Sequence, residues 1–427
     1  MKFLEGITPR KYQQKIFETC VKKNCLVVLP TGLGKCLEFS QPIYLADGSL
    51  KKIGELFEET KGKIIQNTKN HLIKKPGKKK EVISLNNNLK LEKRKIIAIH
   101  KIKTKKPLLK ITSYAGAEII VTPEHPLLTL NNKLEWKKAD KYKVGEAVAT
   151  PSQLPEPINN KKIDLIKIFA NINSNMHCYI ELNEKFAKKH NLKKEQKFQE
   201  VLNQNIKKEE LINNIKSFYI KGSRANQTKI KPVRKVSQDL MYWIGLIIAE
   251  GCVHGGVKFY NNDKDLLEIF TKLSKNLFGV APTKIKGGLK LSSTALYFFI
   301  RNLFDLKTNQ HSRDKKISDL IMNSPNKSVA SLISALYDGE GSVRKDGLIE
   351  FVSASKELAN NLCYVLKRFG ISPRFSKKDS YARNSKSPKK RTYYRIYIQG
   401  IKDLKIFDEK IGFTHKEKEK KLKKYLS

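Results

Sequence analysis

The stretch Leu29-Pro30-Thr31-Gly32-Leu33-Gly34-Lys35-Cys36 changes character at its last residue. The apolar run Leu26-Val27-Val28-Leu29 suits a buried parallel strand and delivers the chain into a Gly-rich turn ending at Lys35. Strand, turn and lysine make a phosphate cradle, with backbone N–H groups around Thr31, Gly32 and Gly34 and the Lys35 ammonium facing the anion. A G-x-G-K run should continue with Thr or Ser, whose hydroxyl ligates Mg²⁺, and then with a helix. Cys36 stands there instead, and Leu37 to Ser49 is β-like with a turn at Asp47-Gly48. The chain reads as one protein up to Lys35 and as another from Cys36.

Working outward, 427 residues are too many for one core and enough for two or three domains. The net charge of +44, from 85 Lys+Arg against 41 Asp+Glu, makes a polyanion the expected partner. The positive charge is clustered: residues 221–235 carry six Lys/Arg and no acid, and residues 376–391 carry seven Lys/Arg and one Asp. Six cysteines without C-x-x-C spacing suggest neither a zinc site nor a disulfide framework. No run approaches about 18 apolar residues, and the N-terminus lacks a signal-peptide pattern. The expectation is a soluble, cytoplasmic, nucleoid-associated protein with no membrane partner.

Upstream of the cradle, Arg10-Lys11-Tyr12-Gln13 opens an amphipathic helical pattern over residues 11–22. Together with the strand and cradle, this resembles the opening of a superfamily-two DNA helicase of the archaeal Hef type. The resemblance covers residues 1–35 and implies a short α/β fragment. In it Gln13 would read adenine, and Thr31, Gly32, Gly34 and Lys35 would hold ATP phosphates. No DEAH-type carboxylate motif follows, so ATP hydrolysis is expected only of a reconstituted helicase.

From Cys36, the pairing of an initial Cys with Asp47-Gly48, and of Thr122 with His125 in Ile119-Ile120-Val121-Thr122-Pro123-Glu124-His125, resembles an intein of the Hint fold. Alternating apolar residues in between imply an all-β splicing half over residues 36–150. The chemistry suits the residue types. A thiol is a far better nucleophile than a hydroxyl near neutral pH, and it can convert the Lys35–Cys36 amide into a thioester. The resemblance implies that His125 supplies the leaving amine's proton and that Thr122 holds the geometry. The only His-Asn pair, His190-Asn191, is followed by Leu192 rather than an acceptor nucleophile. A C-terminal splicing half, with the helicase remainder, is therefore expected on a separate polypeptide or lost by truncation.

Pro151, Pro155 and Pro157 open a region, residues 151–237, expected as a basic linker or DNA-binding arm, with short helices near 163–169, 184–189 and 207–215. Two echoing segments follow: Tyr242-Trp243-Ile244-Gly245-Leu246-Ile247-Ile248-Ala249-Glu250-Gly251 and Ser331-Leu332-Ile333-Ser334-Ala335-Leu336-Tyr337-Asp338-Gly339-Glu340-Gly341. Each is an apolar helix ending in acid-Gly, and the same order of strands and helices follows each. This repeat resembles the LAGLIDADG homing endonucleases. It implies an α+β domain of two pseudo-twofold αββαββα repeats over residues 238–416, followed by a basic tail at 417–427.

Small residues (Gly245, Ala249, Ser334, Ala335) suit a close helix crossing. A glutamate at a helix C-terminus opposes the macrodipole by about 0.3–1 kcal/mol, which a bound cation would relieve. Glu250 and Glu340, brought together, would share divalent metal, expected as Mg²⁺, for double-stranded DNA cleavage. The resemblance adds a basic catalytic residue, Lys290 in the first repeat and either Arg395 or a residue of the 376–391 loop in the second. The alternative is a degenerate module that binds DNA without cutting it.

Overall fold

Period-two alternation and frequent turns make residues 36–150 a succession of antiparallel hairpins. The computed structural model describes residues 36–157, 162–170, 172, 176–223, 225–306, 311–381 and 390–427. The helicase-like stretch, with Gln13, Thr31, Gly32, Gly34 and Lys35, lies outside the described residues. So does the tip of the 376–391 hairpin, at residues 382–389. Among the described residues two compact units emerge: 36–46 with 50–150, and 47–49 with those of 151–427.

In the first unit, Gly62–Thr68, His71–Pro76 and Ile99–Ile102 form a three-stranded antiparallel sheet. Two-stranded pairs surround it: Glu81–Leu85 with Leu91–Lys95, Leu109–Thr112 with Glu118–Val121, and Pro126–Asn131 with Lys133–Lys138. A short α-helix, Ile53–Glu59, turns Leu56 and Phe57 onto Leu45 and Ile99 to make a small core. Burying such a side chain contributes roughly 1.5–3 kcal/mol. Other large apolar groups stay exposed here, Trp136 at 63% and Leu130 at 62%.

The second unit begins with a correction. Residues 151–237 are not a bare linker: His177–Leu182, Glu195–Lys197 and Ile215–Lys221 form a sheet with His177–Leu182 in the centre. Short helices at Leu165–Phe169, Glu184–Lys189, Phe198–Leu202 and Lys208–Asn214 flank it, and Phe169 stacks on Phe218 with centroids 4.3 Å apart. Each element is short, so its few buried apolar residues are hidden among lysines in the sequence. Lys229 and Arg234 of the basic run 221–235 are engaged by this fold. Lys229 pairs with Glu181 and Glu195, and Arg234 donates to the carbonyls of Ile212 and Ile215, both at 2.8 Å through Nη2.

The two repeats then appear in register. The first motif helix, Gln238–Glu250, leads into the sheet order Gly251–Val253, Val257–Tyr260, Gly288–Leu291, Thr283–Ile285. The second, Asn326–Glu340, leads into Gly341–Val343, Ile349–Ser353, Lys390–Ile398, Arg374–Tyr381 in the same order. Helices Lys264–Phe278 and Thr294–Phe304 complete the first repeat, and Lys356–Arg368 and Ile401–Lys410 the second. The motif helices cross at glycine: a Cβ built on Gly245 would lie 2.7 Å from both Ala335 Cβ and the Leu332 carbonyl oxygen. At the other end, a Cβ on Gly339 would lie 2.9 Å from Ala249 Cβ. Ser334 is buried, and its hydroxyl lies 3.5 Å from that of Thr414.

The expected basic tail is also revised. Lys416–Leu426 is a helix that buries Leu422 and docks on the second repeat through Lys418. No helix among the described residues is long and apolar enough to cross a membrane.

Candidate active sites

At Cys36 the chain runs antiparallel to the strand Glu118–Val121, and the Glu38 N–H donates to the Ile120 carbonyl at 3.0 Å. This register sets Cys36 against Thr122. The Cys36 N–H, half of the Lys35–Cys36 amide, donates to Thr122 Oγ1 at 2.9 Å, and the Thr122 N–H donates to the Cys36 carbonyl at 3.0 Å. Thr122 is only 3% exposed, so its hydroxyl is a fixed partner. His125 follows in a tight turn, its N–H donating to the Thr122 carbonyl at 3.0 Å. Burial, and then the Glu124 carboxylate, push the Cys36 thiol above its ordinary range. Cys36 is therefore a thiol near neutral pH, and attack requires that its proton be removed.

The motif helices bring Glu250 and Glu340 close enough to repel each other. Burial raises the Glu340 carboxyl and the Glu250 charge raises it further; its side chain is accessible to solvent but crowded by protein. Burial likewise raises Glu250, against a hydrogen bond from Asn261 Nδ2 and the charges of Lys418 and Lys315. Asp338, two residues before Glu340, is 1% exposed and is a structural anchor. Its carboxylate accepts from Tyr242 Oη at 2.6 Å and from the N–H groups of Thr414 and His415, each at 3.1 Å.

Two lysines not singled out from the sequence stand at this centre. Lys290 lies in its strand opposite Lys258. Arg395 pairs with Glu350. The two beside the glutamates are Lys315 and Lys418. Lys315 Nζ donates to the Ala249 carbonyl at 2.8 Å, and Lys418 Nζ donates to the carbonyls of Tyr337 at 3.0 Å and Asp338 at 2.5 Å. Each ammonium thus meets the negative end of one motif helix. Burial lowers both ammonium groups, while the neighbouring carboxylates oppose that shift. A signal did exist in the sequence, since each lysine follows the last helix of its repeat, but the intervening lengths differ and lysines are abundant.

Two glutamate carboxylates beside two lysines suit a hard divalent cation and a phosphodiester. Among the described residues there is no group of three or more His, Cys, Asp or Glu that could hold a metal. The pair therefore fits a cation that completes its shell with phosphate oxygen and water, a common arrangement for Mg²⁺.

A family model described as the intein splicing domain matches residues 43–426. A probable translation initiation factor IF-2 of Methanocaldococcus jannaschii is 30% identical over 418 residues, covering 92% of this chain and 34% of that protein. The replication factor C small subunit of the same organism is 26% identical over 405 residues, covering 92% of this chain and 17% of its own length. The chain thus spans about a third or less of these relatives. Among solved structures, the PabCDC21-1 intein is 28% identical, covering 27% of this chain and 72% of its own, with a TM-score of 0.25. I-DmoI in complex with DNA and Mn is 17% identical, covering 42% of this chain and 99% of its own, with a TM-score of 0.30.

Proposed function

This chain belongs to the intein splicing domain family, and from that premise we propose that it is a protein-splicing element that also carries a site-specific, metal-dependent DNA endonuclease. The observation that carries the second activity is the equivalent placement of Glu250 and Glu340 at the ends of two crossed helices, each followed by the same fold. The relatives bear names of unrelated functions, yet each shares a segment of about this chain's length. An element inserted into different hosts would give that pattern. Here the host is read as a superfamily-two helicase interrupted after Lys35 in its phosphate cradle, with ATP a ligand only of the spliced product. Splicing would join Lys35 to the Thr expected after it in the host.

In the first step Cys36 Sγ attacks the Lys35 carbonyl carbon. A C–S bond forms, the C–N bond to Cys36 breaks, the thiol proton is lost to a base, and the departing amine takes a proton from His125. Thr122 holds the Cys36 backbone in place for that exchange. Treatment with excess thiol should release a fragment ending at Lys35, and Cys36→Ala should release none.

For DNA, Glu250 and Glu340 would hold the divalent cation, which supplies Lewis-acid stabilisation of the phosphoryl oxygens and a more acidic water. Lys315 and Lys418 neutralise charge that builds on the phosphate as the P–O bond breaks. Two equivalent centres give one cut per strand. The excess positive charge and the paired strands Arg374–Tyr381 and Lys390–Ile398 would provide phosphate contacts along a duplex, which fix register without reading bases. Incubation with duplex DNA spanning the uninterrupted host site and Mg²⁺ tests this. Binding without cleavage would favour the non-catalytic alternative.

A further inference from the structure

The two lysines at the carboxylate centre arrive on segments that follow their repeats, and each segment is fastened by the opposite repeat. The strand registers Gly251↔Phe259 and Gly341↔Phe351 align the repeats residue by residue. Asn261 then corresponds to Ser353, and Asp263 to Ser355. Both pairs make the same local contacts. Asn261 Oδ1 accepts from the Asp263 N–H at 2.7 Å, and Ser353 Oγ from the Ser355 N–H at 3.0 Å. Asp263 and Ser355 each cap the helix that follows, accepting from Leu266 N–H at 2.9 Å and Leu358 N–H at 3.1 Å.

Each cap also reaches across. Ser355, in the second repeat, donates through Oγ to the Lys315 carbonyl at 2.5 Å, while Lys315 Nζ sits on the first motif helix. Asp263, in the first repeat, has its second carboxylate oxygen 3.1 Å from His415 Nε2. His415 lies three residues before Lys418, whose Nζ sits on the second motif helix. Asp338 grips the His415 and Thr414 N–H groups of that same segment. A helix cap needs only one acceptor. The additional bond to a lysine-bearing segment, repeated in two chemically different forms, goes beyond what capping requires.

We propose that Asp263 and Ser355 are positioning residues, each holding the lysine that serves the opposite repeat, so that each cutting centre is complete only when both repeats are docked. This rests on the endonuclease reading above. The device ties the two cuts together: a lysine is held at its carboxylate through contacts to both halves at once.

Asp263→Asn separates positioning from folding. Asparagine caps a helix as well as aspartate does, so one oxygen still serves Leu266 N–H, but an amide NH₂ then faces His415. In supercoiled plasmid carrying the uninterrupted host site, with Mg²⁺, this variant should cut one strand about 10–100-fold more slowly than wild type. Nicked circle should accumulate while the thermal midpoint holds. His415→Ala should behave alike, and His415→Gln, which restores an N–H donor, should recover much of the lost rate. Amide hydrogen exchange over residues 411–418 of the metal-free chain should quicken in Asp263→Asn and His415→Ala. Wild-type cutting of both strands, or equal slowing of both with exchange over 411–418 unchanged, would overturn the proposal. If wild-type protein does not cut at all, the endonuclease reading fails, while the exchange result still decides whether Asp263 fastens the segment.

Discussion

At Cys36 the groups that matter belong to main chain and to one short motif; at Glu250 and Glu340 they are side chains drawn from distant parts of the sequence. Thr122 holds Cys36 through N–H and carbonyl groups that pair as neighbouring strands do. The glutamates are completed by Asn261, Lys315 and Lys418, which stand 11, 65 and 78 residues beyond Glu250 or Glu340. The surroundings differ as well. The splicing unit has a small core and exposed Trp136 and Leu130, whereas the motif helices of the other unit are almost wholly buried. The lesson is that chemistry on the backbone is encoded locally, and chemistry between side chains is encoded by packing.

That contrast can be broken in order of expected effect. The largest is covalent: Cys36→Ala should abolish thiol-induced release of the fragment ending at Lys35, as read by mass spectrometry, while DNA cleavage continues. Loss of both would show that the two centres are not chemically independent. Next comes packing. Gly245→Val forces a side chain against Ala335 and the Leu332 carbonyl, and should cost about 3 kcal/mol or more in chemical denaturation. Val144→Ala, at a fully exposed position of the splicing unit, should cost less than about 0.5 kcal/mol.

Smaller effects are electrostatic. Glu250 and Glu340 have folded-state pKa values above their unfolded ones, because burial and, for Glu340, the partner charge disfavour ionisation. The folded chain therefore takes up protons between the two values, and this pair destabilises above that window and ceases to do so as pH falls through it. In metal-free buffer near neutral pH, Glu340→Gln should raise the thermal midpoint by about 2 °C. Mg²⁺ should stabilise wild type more than the variant, since binding to the folded state alone adds stability. The smallest effect belongs to the thiol. Glu124→Gln removes one of the two causes that raise Cys36, so the pH dependence of thiol-induced release should shift towards lower pH.

The same division governs what could be read from sequence. The αββαββα order, the helix ends at Glu250 and Glu340, and the hairpins before Thr122 follow from periodicity and turn residues, which are local signals. The 151–237 region looked like a linker because its buried residues, such as Ile180, Phe198, Val201 and Phe218, lie on very short elements set among lysines. Lys315 and Lys418 could not be chosen among so many lysines, because what distinguishes them is a carbonyl at a helix end that only the folded chain supplies. Asp338 carries no such ambiguity once folded: an almost fully buried carboxylate taking three hydrogen bonds is a brace.

The most direct measurement pairs cleavage with binding. Wild type, Glu250→Gln and Glu340→Gln would each be titrated onto duplex DNA spanning the uninterrupted host site, then given Mg²⁺. The account predicts that wild type makes a double-strand break. Each variant should bind with undiminished affinity, falling steeply with salt in all three proteins, and should lose cutting. Cleavage by both variants at the wild-type rate would contradict the assignment of the two glutamates as the centre of the endonuclease.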